Sequence, residues 1–193
     1  MFSNGHTPSH KGQITTTDPI RGDDIQKVRR HLQMRPRDLA LWSLGTNTAL
    51  RAGDLLALRW SDIEDDGERI TLLVKEQKTG NLRRIVLNPA ASADLRCWRE
   101  CSTSAVIFES QRGGALTVAA VGRMLKHWAK EAGVTAKRVS SHSMRKTWVR
   151  AHADRGVPLH KLMWALGHSS ERQTAAYCGL LVDEVAELYE HVV

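Results

Sequence analysis

At 193 residues, 41% of them hydrophobic and 25% charged, the chain has the size and balance of one soluble globular domain that can bury its own core. Lys and Arg outnumber Asp and Glu by 28 to 21, and the resulting +7 points only weakly to a polyanionic partner. Three cysteines (Cys97, Cys101, Cys178) cannot all pair and no signal peptide opens the chain, so a reducing, cytoplasmic setting is expected, and no apolar run is long enough for a membrane span.

Residues 1–17 (MFSNGHTPSHKGQITTT) are polar, lack apolar periodicity, and read as a disordered tail or the end of a linker. From Asp18-Pro19 the pattern tightens, with helices predicted at about 23–34, at 37–48 just after Pro36, and at 51–59. Two alternating runs, ERITLLVKEQ and LRRIVLN, flank KTGN and predict a β-hairpin. After Asn88-Pro89 helices are expected at about 89–101, 117–132, 142–154, 158–166, 171–178 and 181–191, with AVIFES as an additional short strand. The fold class is therefore mainly α (α+β) with a small antiparallel sheet. Trp42, Trp128 and Trp164 fall on apolar helical stripes and are expected in the core; Trp148 is read as core too, although it could buttress the residues around Arg145.

Charge is unevenly spread. Residues 121–150 hold eight Lys or Arg against one acid, Glu131, whereas LVDEVAELYEHVV at the end holds four acids and no Lys or Arg. A concentrated basic block is the footprint expected for a phosphate backbone. The block ends in SHSMRKTW, and WALGHSS and TAAYCGL follow. His142 and Arg145, three apart, share a helical face. Gly167 can end a short helix and aim His168 inward. Tyr177 lies nine residues beyond His168. A phenol, two imidazoles and a guanidinium make a poor structural core and a reasonable phosphoryl-transfer site. Cys97 and Cys101, at i and i+4 with no Cys-His pair nearby, are thiols rather than a zinc site.

With Arg51 in TNTALRAGD and Lys78 in EQKTGNLRR, the pattern resembles the catalytic domain of the tyrosine recombinase, or phage integrase, family. That family carries an arginine in a T-x-L-R-x-x-E/D-like box, a lysine on a β-hairpin, then H-x-L-R, L-G-H and a tyrosine about nine residues later. Arg51, Lys78, His142, Arg145, His168 and Tyr177 fill those positions in order, and the resemblance covers about residues 19–193. It implies a site-specific recombinase that joins Tyr177 to a DNA 3′-phosphate. The two permanently charged, planar guanidiniums suit the non-bridging oxygens. A neutral His142 can accept the phenolic proton, Lys78 by resemblance protonates the departing 5′-oxygen, and His168 hydrogen-bonds the phosphate. Asp54, one turn beyond Arg51, is expected to orient it. No metal or cofactor is implied. The rivals are a type IB topoisomerase-like relaxer and a non-catalytic DNA-binding regulator.

Departures are mild. Met144 stands where leucine is commoner, Asp54 where glutamate is frequent, and Cys178 is read as packing. Fewer than twenty residues precede the catalytic region, too few for the helical core-binding domain many relatives carry. The expectation is a fragment, or a short form like the fimbrial-switch invertases, with weaker DNA binding. The acidic amphipathic stretch at 181–193 suits docking on a neighbouring protomer or on its own domain, and a homo-oligomer on double-stranded DNA is expected.

Overall fold

The computed structural model describes residues 17–178. Residues 1–16 of the polar tail and the final amphipathic stretch lie outside them. Among the described residues the order is α1 (Asp23–His31), α2 (Pro36–Asn47), α3 (Ala52–Ala57), a 3₁₀ turn at Trp60–Asp62, β1 (Ile63–Asp65), β2 (Ile70–Lys75), β3 (Leu82–Val86), α4 (Pro89–Cys101), α5 (Val118–Glu131), α6 (His142–Ala153), α7 (Leu159–Leu166) and α8 (Glu171–Cys178). The boundaries follow local chemistry. Pro36 and Pro89 occupy first-turn positions, where a missing N–H costs nothing, and the Asn88 and Thr117 side chains accept the Ala91 and Ala120 amides at the starts of α4 and α5. Gly167 ends α7 in the left-handed region (φ 61°), and His168 N donates back to Met163 O at 3.0 Å.

The three strands form one antiparallel sheet in the order β1-β2-β3, with Leu72 opposite both Ile63 and Ile85. Strand β1 is an addition to the predicted hairpin. AVIFES is not a strand: it makes an isolated bridge from Val106 to Arg59, and Glu109 another to Ala115. Ile70, Leu72 and Val74 point inward with period two and join the main core, which also takes Leu41, Leu44, Leu55, Leu95, Phe108, Leu125, Trp42 and Trp128. A second, smaller cluster gathers Ala49, Val149, Leu162, Leu166 and Cys178 under α6, α7 and α8, with Trp148 and Tyr177 packed against it. Cys178 is thus buried packing, as expected; Cys97 and Cys101 are exposed.

Trp164 departs from the expectation of burial: it is 80% exposed. Helix α7 buries Leu162 and Leu166, and a residue two positions from each points to the opposite face. The two buried tryptophans, Trp42 and Trp128, sit where the stripes placed them. Helices α2 and α6 cross closely, because Gly45 of α2 has no Cβ; a methyl there would overlap Met144 Sδ.

Candidate active site

Helix α6 sets one side of the site. Arg145 is buried (4% exposed), and its fork is satisfied by backbone carbonyls: Nη1 donates to Ala49 O and Nη2 to Leu166 O at 2.6 Å. Ala49 holds φ 56°, a left-handed conformation that costs an L-residue about 1–2 kcal/mol. Its carbonyl receives Arg145 two residues before Arg51, so the first arginine box and the second are joined through this strained residue. His142 opens α6 and is exposed, its amide donating to Ser140 Oγ at 3.2 Å.

Arg51 is held differently, by carboxylates. Its Nη1 lies 3.3 Å from Glu76 Oε2 and 3.7 Å from Asp54 Oδ2, and neither contact has hydrogen-bond geometry. Asp54 therefore attracts Arg51 by charge, while its hydrogen bond goes elsewhere: Oδ1 accepts the Gln77 amide at 2.9 Å and ties the hairpin to α3. Glu76 is only 2% exposed. Its Oε2 accepts from Thr79 Oγ1 at 2.7 Å and its Oε1 from Arg83 Nη1 at 3.0 Å. Lys78 is exposed on the turn between these partners.

Helices α7 and α8 complete the site. The Tyr177 ring meets His168 edge to face, with centroids 5.4 Å apart and planes at 76°. The Arg145 guanidinium carbon lies 5.9 Å and Lys146 Nζ 5.5 Å from the Tyr177 ring centre. His168 Nδ1 bonds the hydroxyl of Thr174, a fully buried residue, at 3.1 Å. Lys146 Nζ also donates to Thr17 O at 2.8 Å, and Thr17 Oγ1 pairs with Ser140 Oγ at 3.0 Å. Thr17, read from sequence as the end of the tail, is bonded to the loop before α6 and to α6 itself.

Burial and mutual repulsion shape the charges here. Burial lowers the Arg145 pKa to about 10. Burial, then the charges of Arg145, Arg51 and Lys78, pushes His168 down to about 4, so the ring is neutral at pH 7. The His142 side chain, though it reaches the surface, is partly desolvated at the start of α6, and this, helped by the charges of Arg145 and Lys146, lowers its pKa. Burial raises the Tyr177 phenol, against the opposing pull of Arg145 and Arg51.

The fold thus gathers Arg145, His168 and Tyr177 in contact and sets Arg51 against the Gly167 turn that precedes His168, while Lys78 and His142 stand exposed at the hairpin turn and at the start of α6. The basic block at 121–150 is not a single solvated face. Arg145 and Lys146 are buried, Arg138 and Arg150 pair with Asp18 and Asp154, and Lys126, Lys130 and Lys137 join Arg138 around a surface cavity of about 590 Å³. Sequence reading missed Glu76, Arg83, Lys146 and Thr174. For Glu76 a signal existed: it continues the inward parity Ile70, Leu72, Val74, and an acid on the buried face of a strand requires a partner. Arg83, on the inward parity of β3, supplies one.

Among the described residues no group of three or more His, Cys, Asp or Glu is placed to hold a metal ion, and no helix is long and apolar enough to cross a membrane. Residues 20–183 match the model of the phage integrase family. Tyrosine recombinase XerC of Xanthomonas campestris pv. campestris is 31% identical over 157 residues, covering 80% of this chain and 48% of that protein. The probable integrase/recombinase YoeC of Bacillus subtilis is 27% identical over 176 residues, 89% of this chain and 94% of that one. The chain spans about half the length of the XerC relatives it matches. Solved structures share the fold: XerA recombinase (21% identical, TM-score 0.74, 95% of this chain and 66% of that one) and XerH bound to its palindromic difH substrate after cleavage (21%, 0.72, 90% and 53%). The ordered boxes, the hairpin between them and the matching fold make this chain a member of the phage integrase family.

Proposed function

We propose that the chain breaks and rejoins DNA strands in site-specific recombination, through a 3′-phosphotyrosyl intermediate on Tyr177. The observation that carries this reading is the seating of one phenol against Arg145 and His168, with Arg51 contributing to the same field. In the proposed step Tyr177 Oη attacks phosphorus while its proton passes to the His142 imidazole. The P–O5′ bond breaks, and the 5′-oxygen takes a proton from Lys78, which is left neutral. Arg51 and Arg145 hold the charge that grows on the non-bridging oxygens. His168, neutral with a pKa of about 4, is a poor proton acceptor and is better suited to donating a hydrogen bond to the phosphate. Rejoining is the reverse, with a 5′-hydroxyl of another strand as nucleophile.

Double-stranded DNA is the proposed partner, and the basic cavity around Lys126, Lys130, Lys137 and Arg138 supports it. A homo-oligomer on DNA is proposed with it; a relative of this fold, lambda integrase, is solved as a dimer bound to a core site. Covalent trapping tests the reading. The chain and its Tyr177→Phe variant are expressed in the source cell, lysed in detergent, and the protein-linked DNA is sequenced. Ends enriched at a few loci and lost in the variant are expected. No linked DNA from a folded wild-type chain overturns the proposal, and supercoil relaxation without recombinants assigns a relaxing activity instead.

A further inference from the structure

Glu76 occupies a place that the chemistry above does not use. A carboxylate beside a phosphate cradle repels the substrate, so its presence requires a compensating role. Its two oxygens are divided among elements that carry separate functional residues. Oε2 accepts from Thr79, next to Lys78, and faces Arg51 Nη1 at 3.3 Å; Oε1 accepts from Arg83 of β3. A Cβ built on Gly167, the residue before His168, would lie 3.7 Å from Oε2 and 4.0 Å from Arg51 Nη2. The backbone of Glu76 also closes the turn: its carbonyl accepts the Gly80 amide at 2.8 Å and its amide donates to Asn81 O at 2.9 Å. Glu76 is thus where the first arginine box, the hairpin turn and the Gly167-His168 turn converge.

Resting on the catalytic reading of Lys78, we propose that Glu76 is a positioning residue for Lys78. Its carboxylate locks the turn at Thr79 against the Arg51 guanidinium, so that proton delivery to the leaving 5′-oxygen depends on a residue that never touches the DNA. The negative charge is essential to the lock, since an amide would set an N–H against Arg51 or Arg83. Asp54, through the Gln77 amide, anchors only the near side of the turn and leaves Thr79 and Gly80 to Glu76.

The test compares wild type, Glu76→Gln and Lys78→Ala on a nicked duplex carrying a trapped locus, with oxygen or sulfur at the bridging 5′ position. A thiol leaves as thiolate without protonation, because its pKa is about 8.5. Glu76→Gln is expected to form the covalent adduct about 10- to 100-fold more slowly on the oxygen duplex, and to return to within about threefold of wild type on the sulfur duplex, the pattern expected of Lys78→Ala. Wild type cutting both duplexes with Glu76→Gln equally slow on each would sink the inference, since the defect then lies in phosphate binding or the fold. A wild type that cuts neither refutes the catalytic reading itself. Amide exchange without DNA is a second arm: the Gly80 and Asn81 amides should exchange about tenfold faster in Glu76→Gln, with α2 and α6 unchanged. Unchanged turn amides overturn the proposal whatever the cleavage result.

Discussion

The two arginines proposed to hold one phosphate are secured by opposite chemistry. Arg145 is buried with its fork on two neutral backbone carbonyls, and burial drags its pKa to about 10. Arg51 keeps about a quarter of its side chain exposed (26%) and sits against the carboxylates of Glu76 and Asp54. Uncompensated positive charge at Arg145 makes that side of the site ready for an anion, at a cost in stability. The carboxylates at Arg51 moderate the opposite side and bind it to the hairpin. An arginine fixed by carbonyls depends on the planar fork; one fixed by carboxylates depends chiefly on charge.

Lysine substitutions break or sharpen this contrast. Arg145→Lys keeps the charge but cannot span Ala49 O and Leu166 O together. It should slow adduct formation about 10²–10³-fold and lower stability by about 1–3 kcal/mol as one buried carbonyl loses its donor, read from single-turnover cleavage and thermal unfolding. Gly45→Ala acts on the same side at a distance. The added methyl meets Met144 and displaces α6, costing about 1–3 kcal/mol, and a second substitution, Met144→Ala, should recover part of the loss. Arg51→Lys should be milder, since an ammonium can face both carboxylates: about tenfold in cleavage, with stability held within about 1 kcal/mol. Equal damage from the two lysine variants would show that the asymmetry has no energetic content.

A separate effect is one of pH. His168 titrates at about 4 in the fold against an ordinary 6.5. The unfolded chain therefore binds more protons between those values, and the contribution of neutral His168 to stability, complete above pH 6.5, is lost as pH falls toward 4. His168→Asn should flatten the denaturation midpoint across that window; an unchanged slope would remove His168 from the buried, positively charged surroundings described above.

Much of this was legible in one sequence. Helices α1 to α8 appeared within a few residues of their periodic segments, since proline, glycine and cap residues act locally, and the hairpin was marked by alternation around Gly80-Asn81. The six family positions were readable as ordered boxes. Burial direction was less so: α7 is apolar nearly all round, with Leu159, Leu162, Met163, Trp164 and Leu166, so its period does not choose a face, and packing on α6 and α8 left Trp164 outside. The contacts of Asp54 were legible only in part, for a related reason: it does face Arg51, at 3.7 Å, but not through a hydrogen bond. Spacing puts it one turn from Arg51, but its hydrogen bond goes to Gln77, 23 positions away.

By itself the sequence determined which elements form and which reactive side chains the chain carries, because those depend on neighbours along the backbone. Only the tertiary structure decided how the side chains are held: Arg145 by carbonyls from two separate boxes, Arg51 and the Lys78 turn by one buried glutamate, and Tyr177 between His168, Arg145 and Lys146. Those contacts join residues far apart in the chain, and nothing in local spacing reports which buried charge will meet which partner.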